Sequence, residues 1–261
     1  MSDSIRRLLA IMEHLRDPGR GCPWDRAQTR ESIVPHTIEE AYELADAIAR
    51  DATDEVRDEL GDLLFQIVFQ ARIAEESRLF DFEDVVAGIC DKLERRHAHV
   101  FGEARVDSVS EQSLAWERHK AAERRDKGQS QGALDGIAIA LPALTRAGKL
   151  GRRAAGVGFD WPDARAVLAK VREETAEVEE AIDLGNPAHL QEELGDLLFA
   201  AAQAVRRCGF DPESVLREAN AKFERRFRHL EESLARRGLT PTDVDMDELD
   251  ALWHAAKQAG A

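Results

Sequence analysis

The chain has 261 residues and a formal net charge of −15, with 43% hydrophobic, 33% charged and 6% aromatic residues. That balance supplies apolar cores and excludes the basic stripe of a nucleic-acid groove or of an anionic-membrane surface, while a small anionic ligand fits if a divalent cation mediates. Scarce Tyr and Pro favour helices over a β-sandwich or barrel, no run of about 18 apolar residues predicts a membrane span, and the scattered Cys22, Cys90 and Cys208 form no C-x-x-C pair, which fits a reducing, cytoplasmic setting.

Residues 1–20 mix charged with apolar residues and read as an amphipathic helix rather than a signal peptide. "GCPWD" follows at Gly21–Asp25. Thr37, with Glu40 three residues on, is the expected N-cap of a helix running to about Arg50. Pro35 just ahead favours an extended or first-turn backbone, so this helix is expected to begin late. A second helix is expected from near Asp54 to about Glu76, a third from Asp81 to near His97, and a fourth capped by Ser110. Beyond a Gly-, Gln- and Ser-bearing stretch and Pro142, helices are expected near 163–184, 187–208, 212–237 and 246–258. Short loops favour antiparallel neighbours, and no segment reads as a strand.

The chain repeats itself. "ELGDLLF" occurs at Glu59–Phe65 and again at Glu193–Phe199, and Glu40 and Glu43 stand 134 residues before Glu174 and Glu177, the same offset. "KLERR" at Lys92–Arg96 answers "KFERR" at Lys222–Arg226, and Trp116 and Lys120 answer Trp253 and Lys257. Landmarks recurring in one order indicate a duplicated domain. The expected architecture is all-α, with tandem helical-bundle domains at residues 1–125 and 136–261 joined by a linker at 126–135.

On a helical wheel with Glu59 at 0°, Leu60, Leu63, Leu64 and Ile67 fall between about 40° and 140° and form the expected core stripe. Glu59 and Asp62 flank it one turn apart, as Glu40 and Glu43 do on the preceding helix, so both pairs can converge across a tight turn. Converging carboxylates repel one another and raise each other's pKa, which a hard divalent cation such as Mg²⁺ relieves. Gly61 and Gly195 cost helix stability and are expected to mark close helix packing. A single E-E-x-x-E is usually a solvated face. Two pairs at fixed spacing, present twice, favour a site, because neighbours such as Tyr42 and Ala176 have diverged while the carboxylates have not.

These residues resemble the MazG family of nucleoside triphosphate pyrophosphohydrolases, in its two-domain bacterial form. The pattern E-E-x-x-E then E-x-x-D is Glu39-Glu40-x-x-Glu43 with Glu59-x-x-Asp62, and Glu173-Glu174-x-x-Glu177 with Glu193-x-x-Asp196; "GCPWD" matches as well. The resemblance spans nearly the whole chain. It implies the all-α NTP pyrophosphatase fold, a homodimer, Mg²⁺ with Mn²⁺ as a substitute, and hydrolysis of a broad set of NTPs and dNTPs to monophosphate and pyrophosphate. It implies as metal ligands Glu174, Glu177, Glu193 and Asp196, and Glu40, Glu43, Glu59 and Asp62 in the first copy.

Lys222 and Arg226, at i and i+4 with Arg225 beside them, suit phosphate binding, as do Lys92 and Arg96 in the first copy. Trp253 suits base or ribose stacking, with Lys257 one turn on; Trp116 and Lys120 are the first-copy equivalents. For these residues a packed Trp and a salt-bridged helix face are the competing readings. Glu173 and Glu192 are the candidate general bases, and the sequence does not choose between them. Lys170, one turn before Glu174, stands where the first copy has His36, and Gln66 and Gln70 stand where the second has Ala200 and Ala204. A lysine suits a triphosphate better than a mostly neutral histidine, so the second copy is expected to be the main catalytic site. A non-catalytic nucleotide-binding or assembly module is the alternative; a di-iron bundle ranks below it, because the Glu-x-x-His pairs are missing.

Overall fold

A computed structural model of the chain describes residues 3–102 and 132–260. Those residues form eleven α-helices and no strand, and the chain divides into two compact units, residues 1–123 and 124–261. The architecture is all-α and tandem.

In the N-terminal unit the helices are α1 (Asp3–Leu15), α2 (Pro23–Ala27), α3 (Arg30–Ala49), α4 (Thr53–Glu76), α5 (Phe82–Arg96) and α6 (Ala98–Phe101). α3 begins well before the expected Thr37. Its cap is Thr29, whose hydroxyl accepts from the Ser32 amide at 3.2 Å while Ser32 Oγ accepts from the Thr29 amide at 2.9 Å. That reciprocal box satisfies the free amides of the first turn. Pro35 therefore sits inside α3 and does not delay it; the proline only forgoes the amide bond to the carbonyl one turn back. Thr37 instead donates its hydroxyl to the Ile33 carbonyl. α5 starts where expected, with Asp81 and Asp84 forming its capping box. The expected Ser110 cap lies outside the described residues.

Asp51, in the left-handed region at φ 55°, turns the chain from α3 into α4, and Arg50 bridges Asp46 and Glu55 across that turn. So short a connection makes the two helices antiparallel neighbours. The unit's core is Met12, Ile33, Val68, Phe69 and Ile73, with Leu8, Leu9, Phe65 and Phe82 packed on it. "GCPWD" is pinned to that core by Arg16. Its guanidinium bonds both Glu76 oxygens, donates to the carbonyls of Asp25 and Gln28, and lies 5.4 Å from the Phe69 ring centroid. Gly21 is required by close approach, because a Cβ there would lie 2.4 Å from the Leu15 carbonyl oxygen.

The C-terminal unit contains α7 (Ala143–Ala155), α8 (Ala164–Leu184), α9 (Pro187–Arg207), α10 (Pro212–Ala235) and α11 (Met246–Gln258), with a 3₁₀ turn at Pro241–Asp243. Asp163, Asn186, Asp211 and Asp245 cap the last four helices with side-chain oxygens. Gly185, at φ 64°, ends α8 and hands the chain directly to the α9 cap. Gln203, fully buried on α9, donates to the Ala147 carbonyl of α7 at 2.9 Å and accepts from Arg206.

Two expectations about "ELGDLLF" are corrected. The leucine stripe is only half covered inside its own unit: Leu63 and Leu64 are half-buried, but Leu60 is 52% and Leu198 65% exposed, and Ile67 and Leu194 are exposed too. In α4 the buried residues come later, at Gln66, Val68, Phe69, Ala71, Ile73 and Ala74. Nor does a helix among the described residues pack into the glycine positions; beyond its own helix backbone, a Cβ on Gly61 or Gly195 would meet none of them within 4 Å. A helical period tells which side of a helix is apolar, not what covers it.

Candidate functional site

In each unit two helices joined by a tight turn set a pair of glutamates facing a third. In the N-terminal unit Glu40 and Glu43, one turn apart on α3, meet Glu59 of α4, with one carboxylate oxygen of each within 4.8 Å of the others. Asp62 is exposed and outside that group, although its charge reaches it. Burial, then the charges of Asp62, Glu43 and Glu59, hold the Glu40 carboxyl above the usual range. Burial, then Glu43 and Asp62, do the same for Glu59. Gln66 donates its amide to Glu40 Oε1 at 3.5 Å, while Gln66 Oε1 and Glu59 Oε2 are buried without a hydrogen-bond partner. Gln70 turns away to the Arg30 carbonyl.

In the C-terminal unit Glu174 and Glu177 of α8 meet Glu193 of α9 in the same way, and Asp196 is again exposed and outside the group. Glu174 is only 5% exposed. Lys170 reaches into the cluster: its Nζ lies 2.7 Å from Glu173 Oε1, 2.7 Å from Glu174 Oε1 and 4.0 Å from Glu177 Oε2. Hydrogen bonds to Glu173 and Glu174 push the Lys170 pKa up. Glu177 is also raised, by burial first, then by a hydrogen bond with Glu174 and the charges of Glu174 and Glu193, against the opposing pull of Lys170. The first-copy counterpart, His36, lies beside Glu39 instead, with Nδ1 3.5 Å from Glu39 Oε2.

The remaining candidates are spread more widely. Glu173 is engaged with Lys170, and Glu192 is exposed on α9. Lys222 and Arg225 are exposed on α10 and Lys257 on α11. Arg226 lies 5.9 Å from the Trp253 ring centroid, and Phe223 packs on the same ring at 5.1 Å. The basic and aromatic set is thus assembled by α10 and α11, the carboxylates by α8 and α9. Lys92 and Arg96 are half-buried on α5, and Trp116 and Lys120 lie outside the described residues. The sequence reading missed one contact, that of His189, whose Nδ1 lies 3.4 Å from Glu193 Oε1. Its spacing of four residues on one helix was the available signal.

Three hard oxygen donors and raised carboxyl pKa values in each cluster, with orphaned buried oxygens of Glu59 and Gln66 in the N-terminal one, fit a divalent cation of the Mg²⁺ type. Fold and site together define an all-α protein with paired-helix carboxylate centres. Residues 28–101 and 163–231 match the MazG nucleotide pyrophosphohydrolase domain, and the chain belongs to the MazG family. It is similar to a nucleoside triphosphate pyrophosphohydrolase of Escherichia coli (strain K12), 50% identical over 258 residues and 98% of each chain. It is also similar to the nucleoside triphosphate pyrophosphohydrolase/pyrophosphatase MazG of Thermotoga maritima, 44% identical over 253 residues, 97% of this chain and 95% of the relative. A protein of Mycolicibacterium smegmatis, named nucleoside triphosphate pyrophosphohydrolase, is 37% identical over 153 residues, 58% of this chain.

Proposed function

We propose that the chain hydrolyses nucleoside triphosphates, ribo- and deoxyribo- alike, to the monophosphate and pyrophosphate, clearing the nucleotide pool of the cytoplasm, with the C-terminal unit as the main catalytic site. The observation that carries this is Lys170 reaching the Glu174–Glu177–Glu193 cluster, which joins a phosphate-binding cation to cation-binding carboxylates. Glu174, Glu177 and Glu193 would hold Mg²⁺, or Mn²⁺ in its place, with Asp196 one turn beyond Glu193 as the fourth ligand. Bound there, the ion supplies charge neutralisation at the phosphoryl oxygens and orientation of the attacking water. Lys170, Lys222, Arg225, Arg226 and Lys257 would bind the phosphates, and Trp253 would stack the base or ribose. A proton must leave the water attacking the α-phosphorus; Glu173 and Glu192, beside the ligands, are the candidates to accept it.

The chain would act as a homodimer. The uncovered apolar residues of α3 and α4, and of α8 and α9, support that reading, since exposed apolar patches mark interaction surfaces. No helix among the described residues is long and apolar enough to cross a membrane. The net charge of −15 supports neither a nucleic-acid nor a membrane partner. The test is incubation with Mg²⁺ and ATP or dGTP: the monophosphate plus pyrophosphate is expected. Nucleotide binding without release would favour a non-catalytic module instead.

A further inference from the structure

Among the described residues the two clusters share carboxylate type and spacing but not their counter-charge. In the C-terminal unit the Lys170 ammonium sits 2.7 Å from Glu174 Oε1, a carboxylate that is 5% exposed. A divalent ion approaching that oxygen meets a positive charge already in place. In the N-terminal unit the matching residue, His36, faces Glu39, and no Lys or Arg is paired with Glu40, Glu43 or Glu59 among the described residues. The neighbour there is neutral. Gln66 is 6% exposed, its Nε2 donates to Glu40 Oε1, and its Oε1 has no partner; Glu59 Oε2 is buried and unpartnered as well. Buried oxygens without donors are rare in folded proteins and point to a missing ligand. Carboxylate and amide oxygens together are the donor set of a hard cation.

We propose that the clusters take divalent cations by different rules. The N-terminal cluster binds one by itself, with Gln66 Oε1 as a neutral oxygen beside Glu40, Glu43 and Glu59, and holds it as a resident ion. The C-terminal cluster binds one tightly only when a polyphosphate draws Lys170 away from Glu174. The flexible lysine stem allows that transfer, and a polyphosphate offers it denser negative charge than two carboxylates do. Nucleotide and cation then bind the C-terminal unit cooperatively, each raising the affinity of the other by the same factor. The second half rests on the reading of that unit as the nucleotide site.

Mn²⁺ titration of the full chain, followed by electron paramagnetic resonance, tests this without turnover. Wild-type protein without nucleotide is expected to show one tight Mn²⁺ per chain, lost in Glu43→Gln, weakened about tenfold in Gln66→Ala and kept in Glu177→Gln. Adding the α,β-methylene analogue of ATP is expected to bring a second Mn²⁺, and Lys170→Met to bring it without nucleotide. Two equal sites in nucleotide-free wild type overturn the proposal. So does a tight site lost in Glu177→Gln rather than Glu43→Gln, or a Lys170→Met variant that binds like wild type. Pyrophosphate release from Mg²⁺–ATP is recorded in parallel. Turnover with two equal Mn²⁺ sites overturns this inference alone; the expected Mn²⁺ pattern without turnover upholds it and overturns the proposed activity.

Discussion

The two carboxylate centres are built from identical letters and differ one turn away. Glu40, Glu43 and Glu59 are crowded by one another and by Asp62, and among the described residues the Gln66 amide is the donor that relieves them. Glu174, Glu177 and Glu193 have Lys170 among them. Duplication kept the carboxylates and let positions 36 and 66 diverge from 170 and 200, so the charge balance of a site is written beside its motif rather than in it. The largest effect should follow from that difference. Glu177→Gln is expected to lower the rate of pyrophosphate release by about 10²-fold or more, the scale of losing one preorganised electrostatic group. Glu43→Gln is expected to retain most of it. A loss confined to Glu43→Gln would assign the chemistry to the N-terminal unit and overturn the proposal.

How far the sequence already displayed this depends on the kind of interaction. The order of helices and the convergence of α3 with α4 and of α8 with α9 were readable, because the carboxylate spacing and the cap at Asp81 are local signals. The start of α3 was not. Its box pairs Thr29 with Ser32 rather than with Glu or Gln, and Pro35 suggested a break that the box overrides. The exposure of Leu60 and Leu198 was unreadable for another reason, since covering a stripe is a tertiary fact. At the site the three converging glutamates of each unit were readable. The orphaned oxygens of Gln66 and Glu59 were not, because a missing partner leaves no mark in sequence.

A second comparison concerns what ties each unit together. In the N-terminal unit Arg16, its side chain 7% exposed, clamps Glu76 and the α2 segment. In the C-terminal unit Arg206 and Arg207 clamp Asp160, while Arg207 also donates to the Pro162 carbonyl at 2.7 Å. Burial pushes Glu76 up, but hydrogen bonds and charge from Arg16 and Arg72 hold it below its ordinary 4.5. Asp160 likewise stays below 3.8, with Arg206 outweighing burial. A depressed carboxyl stabilises the fold above its unfolded pKa and loses that contribution as pH falls through the folded value. Arg16→Met is expected to cost about 1–3 kcal/mol, since it removes one of the two arginine partners of Glu76 and leaves the Asp25 and Gln28 carbonyls without their donor. It should also flatten the loss of stability below about pH 4.5, the ordinary glutamate value. Urea unfolding at pH 7 and at pH 3.5 checks both; an unchanged acid limb would mean that Glu76 is not the group being titrated.

The glycines divide in the same manner. Gly151 lets α7 approach α9: a Cβ there would lie 1.8 Å from Gln203 Oε1 and 2.7 Å from Arg206 Nε. Gly151→Ala must therefore displace the buried amide that bonds the Ala147 carbonyl, at an expected cost of about 1–3 kcal/mol, measured as a lowered Tm.

Gly195 lies at the other extreme, between Glu193 and Asp196 on α9, where beyond its own helix backbone a Cβ would touch none of the described residues within 4 Å. A mid-helix glycine gives up about 1 kcal/mol relative to alanine through backbone entropy. With no contact in its own unit to offset that loss, Gly195→Ala is expected to stabilise the chain by about 1 kcal/mol and raise Tm, and Gly61→Ala to do the same. Both leave the glutamates in place, so Mn²⁺ binding should not change. A fall in Tm accompanied by a shift from dimer to monomer in sedimentation would reverse the interpretation. The methyl group would then be meeting a helix of a second copy, and the glycine of "ELGDLLF" would be kept for assembly rather than tolerated as a weak point.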